Sequence, residues 1–232
     1  MITSRAADRV ISEIESRIFR GDLRDGSLLP SERELIDEFG VSRTVVREAV
    51  KALAAKGLVE AKPRFRPVVR RPSYDTAFTA LEGLISHLLG QANGIRHLYE
   101  TRILIEAALV REAALHAGKN DIARLKDALA RNSQAVQDSR LFYQTDMAFH
   151  AVLYDIPGNP VLPALHRAYV TWLTDQWLRM PRLPERNRRN VLAHQAIVDG
   201  ILARDPDAAE TALRDHLKDA WEQVRETFGM ED

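Results

Sequence analysis

Apolar residues recur at helical spacing along nearly the whole chain. Val10, Ile11, Ile14 and Ile18 make one stripe within residues 4–20, which predicts a first helix. Leu35, Ile36 and Phe39 make a second, short stripe. Val45, Val46, Ala49, Val50 and Leu53 make a third. The residues between these stripes are specific. Ser31, with Glu34 three positions on, is a capping box, and Pro30 stops the chain from entering that helix early. Gly40 closes the helix at a position that favours positive φ, and Ser42 caps the next one. The third stripe leaves Arg43, Thr44, Arg47 and Lys51 on its polar side. Two short helices across a tight turn, the second basic and hydroxyl-bearing, predict a helix-turn-helix whose second helix reads DNA. After Leu58-Val59, the segment from Glu60 to Val69 predicts a short antiparallel wing, stiffened at its tip by Pro63 and Pro67. Arg70-Arg71-Pro72-Ser73 reads as a linker.

From Asp75 onward no strand pattern occurs. The periodicity predicts seven helices, near 75–90, 95–117, 120–137, 139–155, 160–179, 185–203 and 206–228. Breakers separate them, among them Asn93-Gly94, Gly118, Pro157-Gly158-Asn159-Pro160 and Asp205-Pro206. Each has an apolar stripe, so the set can bundle around one core. The expected fold is mainly α: a winged helix-turn-helix over 1–71 and an all-helical bundle over 75–229.

Charge sharpens the first half of this picture. The 232 residues carry no net charge, but residues 1–72 hold 15 Lys+Arg against 11 Asp+Glu, net +4, and the remainder is −4. Within 42–71, nine basic residues face only Glu48 and Glu60. A local basic patch beside a helix-turn-helix suits contact with phosphates. Arg43, Thr44 and Arg47 are the candidate contacts to base edges or nearby phosphates, with Ser42 beside them, Arg33 on the backbone, and Arg64 and Arg66 on the wing. No apolar run approaches bilayer length, no secretory leader is evident, and cysteine is absent. A cytoplasmic protein with no membrane partner is expected.

The bundle carries its own chemistry. Asp146 and His150 are four apart on one helix and share a face with Phe142, Phe149 and Leu153. His194 falls with Val191, Ile197 and Ile201, and His216 with Leu213, Leu217 and Ala220. Three imidazoles and a carboxylate on inward faces suit Zn²⁺, or Ni²⁺ or Mn²⁺ depending on coordination number. Hydrogen-bonded core histidines are the alternative. His87, His97, His116 and His166 show no such partner and are taken as ordinary. Arg102 lies on an apolar face with Leu98, Ile105 and Leu109, so it needs an anion: Glu106, Asp146 or a ligand carboxylate. Asn190, one turn before His194, is a weaker candidate for the same pocket. A water-activating metal enzyme is a rival reading. A metal that only braces the bundle is another.

The run from Gly26 to Leu58, through Leu29-Pro30-Ser31-Glu32-Arg33-Glu34-Leu35, Val41-Ser42-Arg43, Val46-Arg47-Glu48-Ala49 and Lys56-Gly57-Leu58-Val59, resembles the DNA-binding module of the GntR family of bacterial transcription regulators. The pattern Asp146-x-x-Phe149-His150, His194 and Leu213-Arg214-Asp215-His216-Leu217 resembles the effector-binding and dimerisation domain of that family's FadR branch, the FCD type. The resemblance implies a homodimer on operator DNA. It also implies a divalent metal held by Asp146, His150, His194 and His216, often zinc, whose open positions take water or an effector carboxylate. Acyl-CoA-binding members lack those ligands, so an acyl-CoA effector is not expected. Arg71-Pro72-Ser73, Gly94-Ile95, Ile156-Pro157-Gly158-Asn159-Pro160, Ala196-Ile197-Val198-Asp199 and Asp205-Pro206-Asp207 are similar to sialic-acid-responsive members. That implies a regulator of catabolic genes, by family habit a repressor, answering to a sugar acid or related carboxylate.

Overall fold

A computed structural model describes residues 2–62, 65–91, 93–181 and 183–229. The chain divides into two compact units, Met1–Ala77 and Phe78–Asp232.

The first unit holds α1 (Ile2–Arg20), α2 (Glu32–Phe39), α3 (Arg43–Ala55), β1 (Val59–Glu60) and β2 (Val68–Val69). The stripes on α1, α2 and α3 meet in one core, with Val10, Ile14, Ile18, Leu35, Val46 and Leu53 buried together. Local chemistry sets the helix ends. The Ser31 hydroxyl accepts from the Glu34 amide at 3.2 Å, and the Ser31 amide donates to the Glu34 carboxylate at 2.6 Å. Gly40 has φ 61° and donates its amide to Ile36, ending α2 in the left-handed turn that a β-carbon disfavours. Ser42 then caps α3 through the Val45 amide. The wing is two residues wide on each side, antiparallel, with Val59 opposite Val69 and Glu60 opposite Val68. A bridge from Leu28 to Val68 extends it by one position. Its tip, Pro63 and Arg64, lies outside the described residues.

From Tyr74 onward the described residues form helices and their connections. The single helix expected over 75–90 is in fact two, α4 (Tyr74–Ala80) and α5 (Glu82–Leu89). At Leu81 the amide reaches back only three residues, to the Phe78 carbonyl at 3.1 Å, which tightens the turn. Gly83, a weak helix former, follows directly. The other six arise close to their expected places: α6 (Gly94–His116), α7 (Lys119–Gln134), α8 (Ser139–Asp155), α9 (Val161–Arg179), α10 (Pro184–Leu202) and α11 (Pro206–Phe228). Their inward stripes form one large core, which includes Val110, Leu125, Phe149, Leu153, Ile197, Ile201 and Leu213. Five of these helices, α6, α7, α8, α10 and α11, bring polar side chains to a single buried point.

Candidate metal centre and DNA-reading face

His150 projects from α8, His194 from α10 and His216 from α11; His150 and His194 are fully buried and His216 nearly so. Their Nε2 atoms form a triangle with edges of 3.3 Å (His150–His216), 3.3 Å (His150–His194) and 3.1 Å (His194–His216). Asp146, one turn before His150, places Oδ1 3.5 Å from the His194 Nε2. One donor atom from each of the four lies within 4.8 Å of all the others.

The surrounding hydrogen bonds decide what those nitrogens present. His150 Nδ1 lies 2.6 Å from the Glu106 carboxylate, so it carries the proton and Nε2 is a lone pair. Asn132 donates its Nδ2 to Thr145 Oγ1 at 3.0 Å, which leaves its Oδ1 to accept from His194 Nδ1 at 3.0 Å. The His194 Nε2 is therefore a lone pair as well. Two lone pairs 3.3 Å apart repel unless a cation lies between them. Asp146 Oδ1 is buried and has no hydrogen-bond partner among the described residues, a costly state for a carboxylate oxygen. Two lone-pair-bearing nitrogens, the His216 Nε2 beside them and an orphaned carboxylate oxygen fit a divalent ion. Tetrahedral zinc with Zn–N near 2.0–2.1 Å sets ligand nitrogens about 3.3–3.4 Å apart, close to the spacing here. Glu106 and Asn132 are the outer groups that hold ligating imidazoles in one tautomer.

Electrostatics agree with neutral imidazoles. Burial drives His194 and His216 well below the ordinary histidine value, and neighbouring positive groups add to the effect. Burial also raises Asp146, partly offset by His150 and Arg102. At Glu106 burial acts upward, but the Arg102 charge and the hydrogen bonds from His150 and Arg102 outweigh it and hold the carboxyl well below its usual range.

Of the three anions open to Arg102, the structure selects Glu106, whose Oε1 accepts from the guanidinium Nε at 2.6 Å. Tyr154 donates to the same oxygen at 3.2 Å. Glu106 thus links Arg102 to His150 and is no free base. Arg102, Asp146, His150, Asn190 and His216 all line one cavity of about 40 Å³. Arg186 and Asn187 line it too, and the sequence reading passed over both: nothing in their spacing marks them, since they sit at the start of α10 before its apolar stripe begins. One of the histidines taken as ordinary needs correction. His116 does have a carboxylate at helical spacing, Glu112, 3.8 Å away on the exposed side of α6. His166 is buried against Tyr154, with ring centroids 4.9 Å apart, and burial lowers it to about 3.

On the first unit, Ser42, Arg43, Thr44 and Arg47 are exposed along the start of α3. The side chain of Arg33 is 91% exposed. Glu32 holds Arg43 at 2.8 Å and Arg47 at 3.8 Å, so one carboxylate orients two arginines. The Ser42 hydroxyl accepts from α3 as a cap and keeps its own proton to donate. Arg66 is anchored by a 2.7 Å bond to the Leu29 carbonyl, so it is less free than its place on the wing implied. Arg64 lies outside the described residues.

A helix-turn-helix with a short wing, and a bundle centred on three histidines and an aspartate, define a ligand-linked DNA-binding regulator. Residues 6–69 match the family described as bacterial regulatory proteins, gntR family, and residues 97–219 match the FCD domain. The chain belongs to the GntR family of bacterial transcription regulators and carries an FCD domain; it is a DNA-binding regulator, not an enzyme. It is 43% identical over 215 residues to proteins described as HTH-type transcriptional repressor NanR from Salmonella schwarzengrund and Salmonella typhimurium, covering 92% of this chain and 82% of theirs. Among solved structures, Streptococcus agalactiae GntR aligns with TM-score 0.62 at 22% identity, over 95% of this chain and 99% of that one. E. coli McbR/YncC aligns with TM-score 0.55 at 17% identity, over 96% and 98%. These two likenesses speak to the fold alone. Among the described residues, no helix is long and apolar enough to cross a membrane.

Proposed function

We propose that this protein is a cytoplasmic, homodimeric repressor of a catabolic operon, and that a small carboxylate or sugar acid, sialic-acid-like in class, releases it from operator DNA by binding beside a metal in the bundle. The supporting observation is the triangle of Nε2 atoms with the orphaned Asp146 oxygen, opening on a cavity that also holds Arg102 and Asn190. Asp146, His150, His194 and His216 would hold the ion. Zinc suits this donor set best, and nickel and manganese accept the same donors. A bound divalent ion supplies positive charge for an acid to approach. Arg102 adds a second positive group, held in place by Glu106, and Asn190 offers an amide. On the DNA, Arg43, Thr44 and Arg47 read the major groove, and Ser42, Arg33, Arg64 and Arg66 meet the backbone. Release requires that the acid bind the DNA-free arrangement of the dimer more tightly than the DNA-bound one.

The small cavity favours a second reading, in which the metal only braces the bundle. Fluorescence anisotropy on a DNA fragment selected from a random pool separates the two. A panel of sugar acids is titrated against zinc-loaded and chelator-stripped protein. Acid response in the loaded form, about tenfold weaker DNA binding or more, with none in the stripped form, is the expected result. Affinity unchanged by every acid, together with a lower melting temperature after stripping, favours the brace.

A further inference from the structure

Two neighbours at the first turn of α10 have polar capacity that the rest of the fold leaves unused. Arg186 is 5% exposed and lines the cavity. Its Nη2 donates to the Tyr143 hydroxyl at 2.8 Å, and its guanidinium carbon lies 5.6 Å from the Tyr143 ring centre. Among the described residues no carboxylate pairs with it, whereas Arg102 is neutralised by Glu106. Its one printed hydrogen bond goes to a phenol, and Asp146 is near enough to feel its charge, so the buried guanidinium keeps several donors for an incoming anion.

Asn187 is fully buried and lines the same cavity. Its Nδ2 donates to the Val136 carbonyl at 2.9 Å and to Ser139 Oγ at 3.2 Å. Those partners settle the amide orientation, because a flipped amide would set its oxygen against the Val136 carbonyl. Asn187 Oδ1 is then the remaining polar atom, and it is buried without a partner among the described residues. It can only accept. A simple carboxylate offers it nothing; a hydroxyl does. The cavity, at about 40 Å³, holds a few waters. Tyr143, Trp177 and Met180 also line an adjoining pocket of about 430 Å³. The Tyr143 and Trp177 rings lie nearly parallel, with centres 6.5 Å apart. A ligand larger than a few waters has room once this wall gives way.

We infer that Arg186 and Asn187 form a recognition arm for a hydroxy acid: the guanidinium takes a carboxylate oxygen, and Asn187 Oδ1 accepts from a hydroxyl carried near that carboxylate. The assignment rests on the reading that a small carboxylate or sugar acid enters beside the metal, and it names the two residues that would favour the hydroxylated acids among these.

Calorimetric titration of the zinc-loaded full chain with gluconate and with hexanoate, six-carbon acids with and without hydroxyls, tests it. Gluconate is expected to bind about tenfold tighter or more. Asn187→Ala should remove that preference. Arg186→Met should weaken both acids by about tenfold, with partial recovery in Arg186→Lys. Zinc content and circular dichroism check that each variant is folded; if Asn187→Ala is not, the wild-type comparison and the Arg186 variants still decide. Equal affinities, or tighter hexanoate, overturn the hydroxyl assignment and leave an acid effector standing. An Arg186→Met protein that binds gluconate normally overturns the role of Arg186. No heat with either acid overturns both this inference and the acid-effector reading beneath it.

Discussion

Arg47 and Arg102 show how differently two arginines can be placed. Arg47 is exposed on α3 and shares Glu32 with Arg43. If it contacts a base edge, Arg47→Ala will weaken operator binding by roughly 1–3 kcal/mol in an anisotropy titration; an unchanged curve removes that contact. Arg102 is buried, and its partner Glu106 is fully so. Arg102→Ala therefore removes the cation from a buried carboxylate and leaves it only His150 and Tyr154, and a denaturant melt should show a loss of about 3–5 kcal/mol. A melt equal to wild type would mean that those two donors suffice. The inward place of Arg102 was legible from its spacing with Leu98, Ile105 and Leu109. Its partner was not, because Glu106 lies one turn on along the same helix and Asp146 on the inward face of another, and spacing does not say which of them Arg102 meets. The same limit hid Asn132, which orients His194 from a helix far away in sequence.

Helix ends were legible wherever a side chain makes the cap. Ser31, Ser42, Asp138 and Asp205 each accept from amides of the turn they start, and Gly40 closes α2. The break at Leu81 carries no such marker, so one helix was expected where two occur. Close packing between helices is also silent in a linear pattern. A β-carbon on Gly200 of α10 would lie 2.7 Å from the backbone nitrogen of Ala209 on α11. Propensity alone would have Gly200→Ala stabilise the helix by up to about 1 kcal/mol. The clash is with backbone, which cannot step aside, so the expected outcome is a loss of about 1–3 kcal/mol in the urea unfolding curve. A midpoint higher than wild type would show that α10 and α11 separate at little cost.

Across the whole bundle, burial of ionisable groups makes stability depend on pH. His166 is lowered to about 3 by burial, against 6.5 in an unfolded chain. The unfolded state therefore takes up a proton below pH 6.5 that the folded state refuses. The stabilisation is fully present above 6.5 and falls away as pH drops toward 3, at up to about 1.4 kcal/mol per pH unit. Glu106, held below its usual range chiefly by Arg102 and His150 against the cost of burial, adds to the same acid-side loss once pH falls through the carboxylate range. His166→Gln should flatten the upper part of this slope in thermal melts taken from pH 7 to 4; an unchanged slope would mean that His166 accepts its proton inside the fold. Periodicity, caps and charge by themselves determined the helix-turn-helix, its basic face and the helical bundle, because each depends on residues within a turn or two of one another. They also placed Asp146, His150, His194 and His216 on inward faces. Only the tertiary structure decided that their donor atoms meet, that Glu106 and Asn132 set the tautomers of His150 and His194, and that Arg186 and Asn187 join them. Those facts depend on how five helices rotate and slide against each other, and that is settled by packing across the core rather than by any local run of residues.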